Sequence, residues 1–357
     1  MVLSIILELW KVIGHIYHNK ILKTMKKLLL ILIIGVIAWI YYSKNSIQYD
    51  DTLLTTQPSK ESILQKNTQC IRSSGKAATH IFGLSDPSFL DDKVRDFAID
   101  LWIKWIRADF RWSDIETATG AYDFSKYDEL VNDMRKNKIQ IIWIVNDIPK
   151  KYTDWDTIND NYEKFLKSLF NRYKNDITYW EVFNEPNLPG YWWLWSGYNG
   201  KDYVHAYANI LSITNKTLRS IDTDWFLILG WFSPDGENPL VYLQSLYNLG
   251  SMKCFDMIWF HPYGFENRLT ELKKTIQDIS IKNKDIGKPI WFTEFGTTDE
   301  KNKQALLSNI LKEVNNTDAF FWFSIKDFSP INNFYGLVDF FNNKKEIYNF
   351  FKNNIPK

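Results

Sequence analysis

This 357-residue chain has little that suits metal, redox or phosphate chemistry. Its two cysteines, Cys70 and Cys254, form no zinc or redox spacing; they either pair as one disulfide in an exported protein or stay as two free thiols. No Gly-rich phosphate loop, His-rich cluster or Gly-x-Ser-x-Gly elbow occurs, so nucleotide, metal and serine-hydrolase chemistries lack their usual residues. Net charge is only +1, and without a long basic tract in the soluble part nucleic acid is an unlikely fit. No metal or organic cofactor is implied. What the chain has in excess is aromatic rings, 16 Trp, 19 Tyr and 24 Phe. Most must fill a core, but flat aromatic faces also suit the CH-rich faces of sugars.

The N-terminal part reads as targeting rather than fold. Residues 1–24 are moderately apolar and are read as an upstream extension if translation starts at Met25. Met25-Lys26-Lys27 leads into an unbroken apolar run, Leu28 to Tyr42, closed by Ser43-Lys44. That length is short for a spanning helix and matches the apolar region of a signal peptide. No small-x-small cleavage site follows, which favours an uncleaved anchor over residues 25–43. Basic residues before the run and Asp50-Asp51 after it orient the remainder outward, so the protein is expected to be extracytoplasmic, tethered or exported. Residues 44–75 are polar and aperiodic, as a linker is.

From Lys76 onward, short apolar runs alternate with helical patterns. Strands are expected near 79–84, 102–108, 139–146, 177–183, 225–231, 255–261, 289–294 and 319–325. Helical patterns lie between them, over 91–101, 127–136, 162–173, 203–221, 270–281 and 303–314. Strands apolar nearly throughout belong in parallel sheets covered on both faces. Eight such units predict an α/β fold, a (β/α)8 TIM barrel forming a single catalytic domain over 76–357, with a doubly wound sheet as the alternative.

Two of the strands end in glutamate. Tyr179-Trp-Glu-Val-Phe-Asn-Glu-Pro-Asn187 breaks at Pro186, leaving Asn184 and Glu185 at the mouth of an apolar strand. Among aromatic rings, desolvation keeps a carboxyl proton available for donation. After 109 further positions, Pro289-Ile-Trp-Phe-Thr-Glu-Phe-Gly296 ends a second strand in Glu294. In a barrel, chemistry sits at the C-terminal ends of the strands, and two carboxylates there are what glycoside hydrolysis needs.

With strand order counted, the chain resembles a clan A retaining glycoside hydrolase over about residues 78–350. Its segment WEVFNEPN is similar to the WEVWNEPN-like segment of family 39 glycosidases, with Phe183 in place of a tryptophan. The resemblance implies Glu185 as acid/base after strand four and Glu294 as nucleophile after strand seven. It implies that Asn184 binds the sugar 2-hydroxyl; strict alternation puts Asn184 and Glu185 on opposite faces, so the strand must bend there. Arg107, ending strand two, is expected to keep Glu294 ionised, or else to form a structural salt bridge with Asp109 or Glu116. His261 and Tyr263, ending strand six, are expected to line the catalytic subsite, and Trp322 to floor it. Weaker candidates are Trp143, Asn146 and Trp231, and the loop rings Trp192 and Trp193, expected to stack on sugars beyond the scissile bond.

The expected function is that of a retaining β-glycosidase acting by double displacement on a poly- or oligosaccharide. A non-catalytic carbohydrate-binding barrel and a transglycosylase using the same pair are the alternatives. No β-sandwich follows the barrel, unlike many family 39 xylosidases, which leaves xylosidase specificity in doubt. A minimal tethered barrel is similar to membrane-linked glycosidases that trim exopolysaccharide.

Overall fold

The computed structural model describes residues 66–188, 203–230, 233, 238–263, 268–313, 319–332 and 334–356. The expected upstream extension and anchor, and most of the linker, lie outside them. Among the described residues no helix is long and apolar enough to cross a membrane.

Eight strands form one parallel sheet: β1 Ile81–Ser85, β2 Trp105–Arg111, β3 Gln140–Asn146, β4 Tyr179–Val182, β5 Phe226–Leu229, β6 Ile258–Phe260, β7 Ile290–Phe295 and β8 Ala319–Phe323. Their order is β5-β4-β3-β2-β1-β8-β7-β6. A parallel bridge between Ile228 and Met257 joins the two ends, so the sheet closes as a TIM barrel. Around it run α1 Asp92–Asp100, α2 Trp112–Ile115, α3 Ser125–Lys136, α4 Trp155–Tyr173, α5 Tyr203–Arg219, α6 Pro239–Asn248, α7 Leu269–Lys282, α8 Lys303–Glu313 and α9 Glu346–Asn354.

The eight expected strands are all present, with shifted edges where capping decides. Trp102 takes a left-handed conformation (φ 60°) at the end of α1, so β2 starts at Trp105 rather than 102. Asp154 caps α4 by accepting from the Thr157 amide at 2.8 Å, and the helix starts well ahead of Tyr162. Asn238 and Pro239 start α6, which the sequence reading left out.

Two apolar layers follow from strand alternation. Ile81, Ile142, Tyr179, Ile228, Trp259, Trp291 and Phe321 point inward and fill the barrel. Their neighbours, among them Leu84, Ile106, Trp143, Trp180, Phe320 and Trp322, point outward beneath the helices. The inward row turns polar at the C-terminal ends, with Ser85, Arg107, Glu181 and Glu294. Burying this polar row without partners would be costly, so its hydrogen bonds decide the site.

Residues 66–75, expected as the last part of a linker, are packed on the barrel. Asn67 is buried and donates to Leu249 O (2.6 Å) and Ser251 Oγ (3.0 Å). Cys70 and Cys254 form a disulfide, resolving the two readings of the cysteines. The Ser73 amide donates to Asp256 Oδ1 at 2.7 Å, and the Ala78 amide to the Tyr179 hydroxyl at 2.9 Å. This strap lies at the N-terminal ends of the strands, opposite the glutamates.

Candidate active site

Arg107 is the hub of the site. It is fully buried, and five hydrogen bonds engage its guanidinium. Nε and Nη2 donate to the two oxygens of Glu181, each at 2.7 Å. Nη2 also donates to Asn184 Oδ1 at 2.7 Å, and Nη1 to Ser85 Oγ at 3.1 Å and Glu294 Oε1 at 2.6 Å. Such a fork fits guanidinium geometry and no other side chain's. Of the expected partners, Glu294 is met; Glu116 is held instead by Trp112, Tyr152 and Lys151.

The bend needed for Asn184 and Glu185 is present. β4 stops at Val182, and Phe183 (φ 58°) and Glu185 (φ 49°) both adopt left-handed backbone. For residues with side chains this conformation is strained, and the surroundings must enforce it. The Phe183 amide donates to Val145 O at 2.9 Å, and its ring packs behind the site near Tyr162. Beneath the bend, the Tyr207 hydroxyl donates to Val182 O (2.8 Å) and accepts from the Gly230 amide (2.6 Å). Gly230 is obligatory, because a Cβ there would lie 2.1 Å from the carbonyl oxygens of Val182 and Phe183.

Glu185 and Glu294 converge from different strands. His261 Nδ1 lies 3.6 Å from Glu185 Oε1 and 3.4 Å from Glu294 Oε2. Those two oxygens are therefore no more than 7.0 Å apart, the sum of the two distances. Burial holds the imidazole well below its ordinary value, with Arg107 adding to the effect, so the ring is neutral and these are not ion pairs. Tyr263 turns its hydroxyl toward Glu294 Oε2 at a long 3.5 Å. Burial pushes the Glu294 carboxyl up to about 8; Arg107 opposes this rise and the charge of Glu185 adds to it.

Ser85, Asp86, Arg107, Asp109, Asn184, Glu185, Glu294 and Phe323 line a cavity of about 200 Å³ over these groups. Asn146 stands one layer out, donating to Asp109 Oδ1 at 3.0 Å and accepting from the Asn184 amide at 3.4 Å. Two expected site rings are corrected by strand alternation. Trp143 is fully buried beneath the helices, 4.0 Å between ring centroids from Phe110. Trp322 likewise faces outward, packing on Phe351 of α9, and its neighbour Phe323 lines the cavity instead. Trp192, Trp193 and Trp231 lie outside the described residues. Glu181 and Phe323 were missed; the one trace of the first is a glutamate inside an otherwise apolar strand, which says nothing of its partner.

The cellulase family (glycosyl hydrolase family 5) matches residues 66–329. The chain belongs to this family. It is therefore an O-glycoside hydrolase of the clan A type, and the matched span includes both glutamates and the strap from residue 66. Among solved structures, the chain is similar to an endoglucanase, Cel5A of Thermotoga maritima, at 17% identity and TM-score 0.58, over 82% of this chain and 99% of that one. It is similar to a family 39 glycoside hydrolase of Bacteroides cellulosilyticus at 17% identity and TM-score 0.56, over 76% of this chain and 62% of the longer protein. A glucosidase from Croceicoccus marinus shares the fold at 13% identity and TM-score 0.60, over 79% and 68% of the two chains. No curated protein matches the chain in sequence.

Proposed function

We propose that this glycoside hydrolase is a retaining β-glycosidase that cleaves a poly- or oligosaccharide by double displacement, with Glu294 as nucleophile and Glu185 as acid/base. The observation that carries the reading is the convergence of both carboxylates on His261 Nδ1. The upper limit of 7.0 Å on those two oxygens is compatible with the close approach, about 5–5.5 Å between carboxyl groups, that retention needs.

The residues divide the work by their partners. Glu294 accepts a charge-assisted bond from Arg107 at 2.6 Å, which favours its carboxylate and aims it at the anomeric carbon. Part of its raised pKa is the charge of Glu185, and that part vanishes once Glu185 carries the shared proton. Glu185 then gives this proton to the leaving oxygen as the Glu294–sugar bond forms. Water attacks next; Glu185 takes a proton from it, the sugar–Glu294 bond breaks, and both carboxyls return to their starting state. Asn184, held by Arg107, is placed to meet the sugar 2-hydroxyl, and Tyr263 and Phe323 border the glycone.

An extracytoplasmic setting is part of the proposal. The apolar run at 28–42 and the disulfide between Cys70 and Cys254 both favour an oxidising compartment, with the N-terminal segment as tether or export signal. The strap enters at the barrel's N-terminal end, leaving the cavity mouth on the far side.

Glu294→Ala tests the nucleophile. Turnover should vanish and added azide should restore part of it, giving a glycosyl azide of inverted configuration; persistence of activity without azide would refute the assignment. A product screen over β-linked polysaccharides, with Glu294→Gln as blank, identifies the sugar. Repeating it with sugar acceptors separates hydrolysis from transglycosylation.

A further inference from the structure

Arg107 can address Glu294 in two ways. A guanidinium facing a carboxylate freely forms a two-pronged fork, which would lock Glu294 as a weakly reactive anion. Here that fork is given to Glu181. Nε and Nη2 lie on Glu181 at 2.7 Å each, and only Nη1 is left to reach Glu294. Glu181 is fully buried on β4, four residues before Glu185, and borders neither the cavity nor a reacting atom. A buried acid of this kind is costly unless it serves a partner.

We propose that Glu181 is a positioning residue for glycoside cleavage: it turns Arg107 edge-on, so that a single N–H reaches the nucleophile, and so limits how tightly the cation holds that carboxylate. This rests on the reading of Glu294 as nucleophile. Among the described residues, the groups facing Glu294 are Arg107 from β2, Glu185 after β4, and His261 and Tyr263 after β6, with Asp86 and Asp109 along the same cavity. Of these only Arg107 is a cation in contact, so a change in its aim reaches Glu294, and a substitution that keeps the Glu181 charge separates that aim from the direct effect of the charge. The charge of Glu181 is itself among the influences that raise the Glu294 pKa.

Two substitutions move Arg107 in opposite senses. Glu181→Gln removes the charge and sets an amide N–H against the guanidinium, which then swings toward Glu294. Glu181→Asp keeps the charge but shortens the side chain and draws the guanidinium toward β4. The Glu294 carboxyl is followed by carbon-13 NMR titration in the purified full chain, assigned by its loss in Glu294→Gln. Its pKa is expected to fall by about one pH unit or more in Glu181→Gln and to rise in Glu181→Asp. With Glu181→Gln, kcat should drop about tenfold or more as the nucleophile becomes a weaker base, with KM little changed. A folded Glu181→Gln whose Glu294 titration is unmoved or raised overturns the proposal, and so does an unmoved or lowered value in Glu181→Asp, where the direct effect of the Glu181 charge is kept. The titration needs no substrate, so its outcome is separate from azide rescue of Glu294→Ala, on which the glycosidase mechanism stands.

Discussion

Glu185 and Glu294 approach one ring nitrogen of His261, at 3.6 and 3.4 Å, although 109 positions separate them in the chain. The imidazole between them is neutral, so it neither pairs the two charges nor supplies a proton, and the carboxyls titrate as a coupled pair. Burial pushes Glu294 up to about 8, with Arg107 opposing the rise and the charge of Glu185 adding to it. The pair therefore holds one proton well above the ordinary glutamate range, and Arg107 favours leaving that proton on Glu185. A raised carboxyl pKa means that the folded protein keeps the proton to higher pH than an ordinary glutamic acid. The singly protonated pair needed for double displacement should therefore persist to about pH 8, and kcat/KM should fall only above it. By linkage, the stability given by that retained proton is complete at pH values below the ordinary glutamate range and is lost as pH rises toward 8. A basic limb of kcat/KM at pH 6 or lower would contradict this account.

Leaving-group chemistry tests Glu185 separately. Glu185→Gln keeps the shape and removes the proton donor, so glycosides with good leaving groups should retain much of their first-step rate. Poor leaving groups should lose about 10²–10⁴-fold, the usual worth of general acid catalysis. Pre-steady-state bursts on a series of aryl glycosides give the comparison. Equal losses across the series would assign Glu185 a binding role only.

Most of the fold could be read in the sequence, because β7's Ile-Trp-Phe-Thr-Glu-Phe and most of its counterparts are short, largely apolar runs that suit a doubly covered sheet. The two strand-end glutamates were readable for the same reason: a carboxylate or proline that interrupts such a run marks its end. What could not be read was the choice within an aromatic doublet. Trp322-Phe323 is apolar at both positions, and only the pairing of Phe323 with Ser85 and of Trp322 with Leu84 fixes which ring turns inward. Glu181 was hidden by a related effect: its value lies in Arg107, 74 residues away, and no local pattern records that partner. The strap at 66–75 is polar because its backbone and side chains bond the barrel's lower face, and polar composition alone suggests a linker.

The bend that presents Glu185 depends on a residue with no side chain. Gly230→Ala would thrust a methyl to 2.1 Å from two backbone carbonyls, and neither can move without shifting Phe183 and Asn184. The variant should lose about 2 kcal/mol of stability or more and most of its activity, read by thermal melting and kcat. Tyr207→Phe removes both hydrogen bonds beneath the same bend, and a cost of about 1–3 kcal/mol is expected. Gly230→Ala with full activity would show that Glu185 is held by something other than this packing.

The Cys70–Cys254 disulfide closes a loop over a sequence separation of 184. Loop-closure entropy of that size makes it worth about 3–5 kcal/mol, and it pins the strap whose Asn67 and Ser73 bond the barrel. Reduction, or Cys254→Ser, should lower the melting temperature while leaving kcat nearly unchanged in the folded fraction, because strap and glutamates lie at opposite ends of the strands. An equal loss of activity well below the melting transition would mean that the strap acts on the catalytic end.

Trp322 and Phe323 are adjacent, aromatic and opposite in role. Trp322 is fully buried between β8 and α9, so Trp322→Ala should cost about 3–5 kcal/mol through the cavity it leaves. Phe323 lines the cavity and lies within ring-contact distance of Tyr335 and Phe328. Phe323→Ala should therefore spare most of the stability and raise KM for short substrates, because a sugar loses its aromatic border. Melting curves and kinetics on both variants separate the two faces of one strand. If Trp322→Ala instead raised KM without a loss of stability, β8 would have to present its other face to the cavity, one residue out of register with β1.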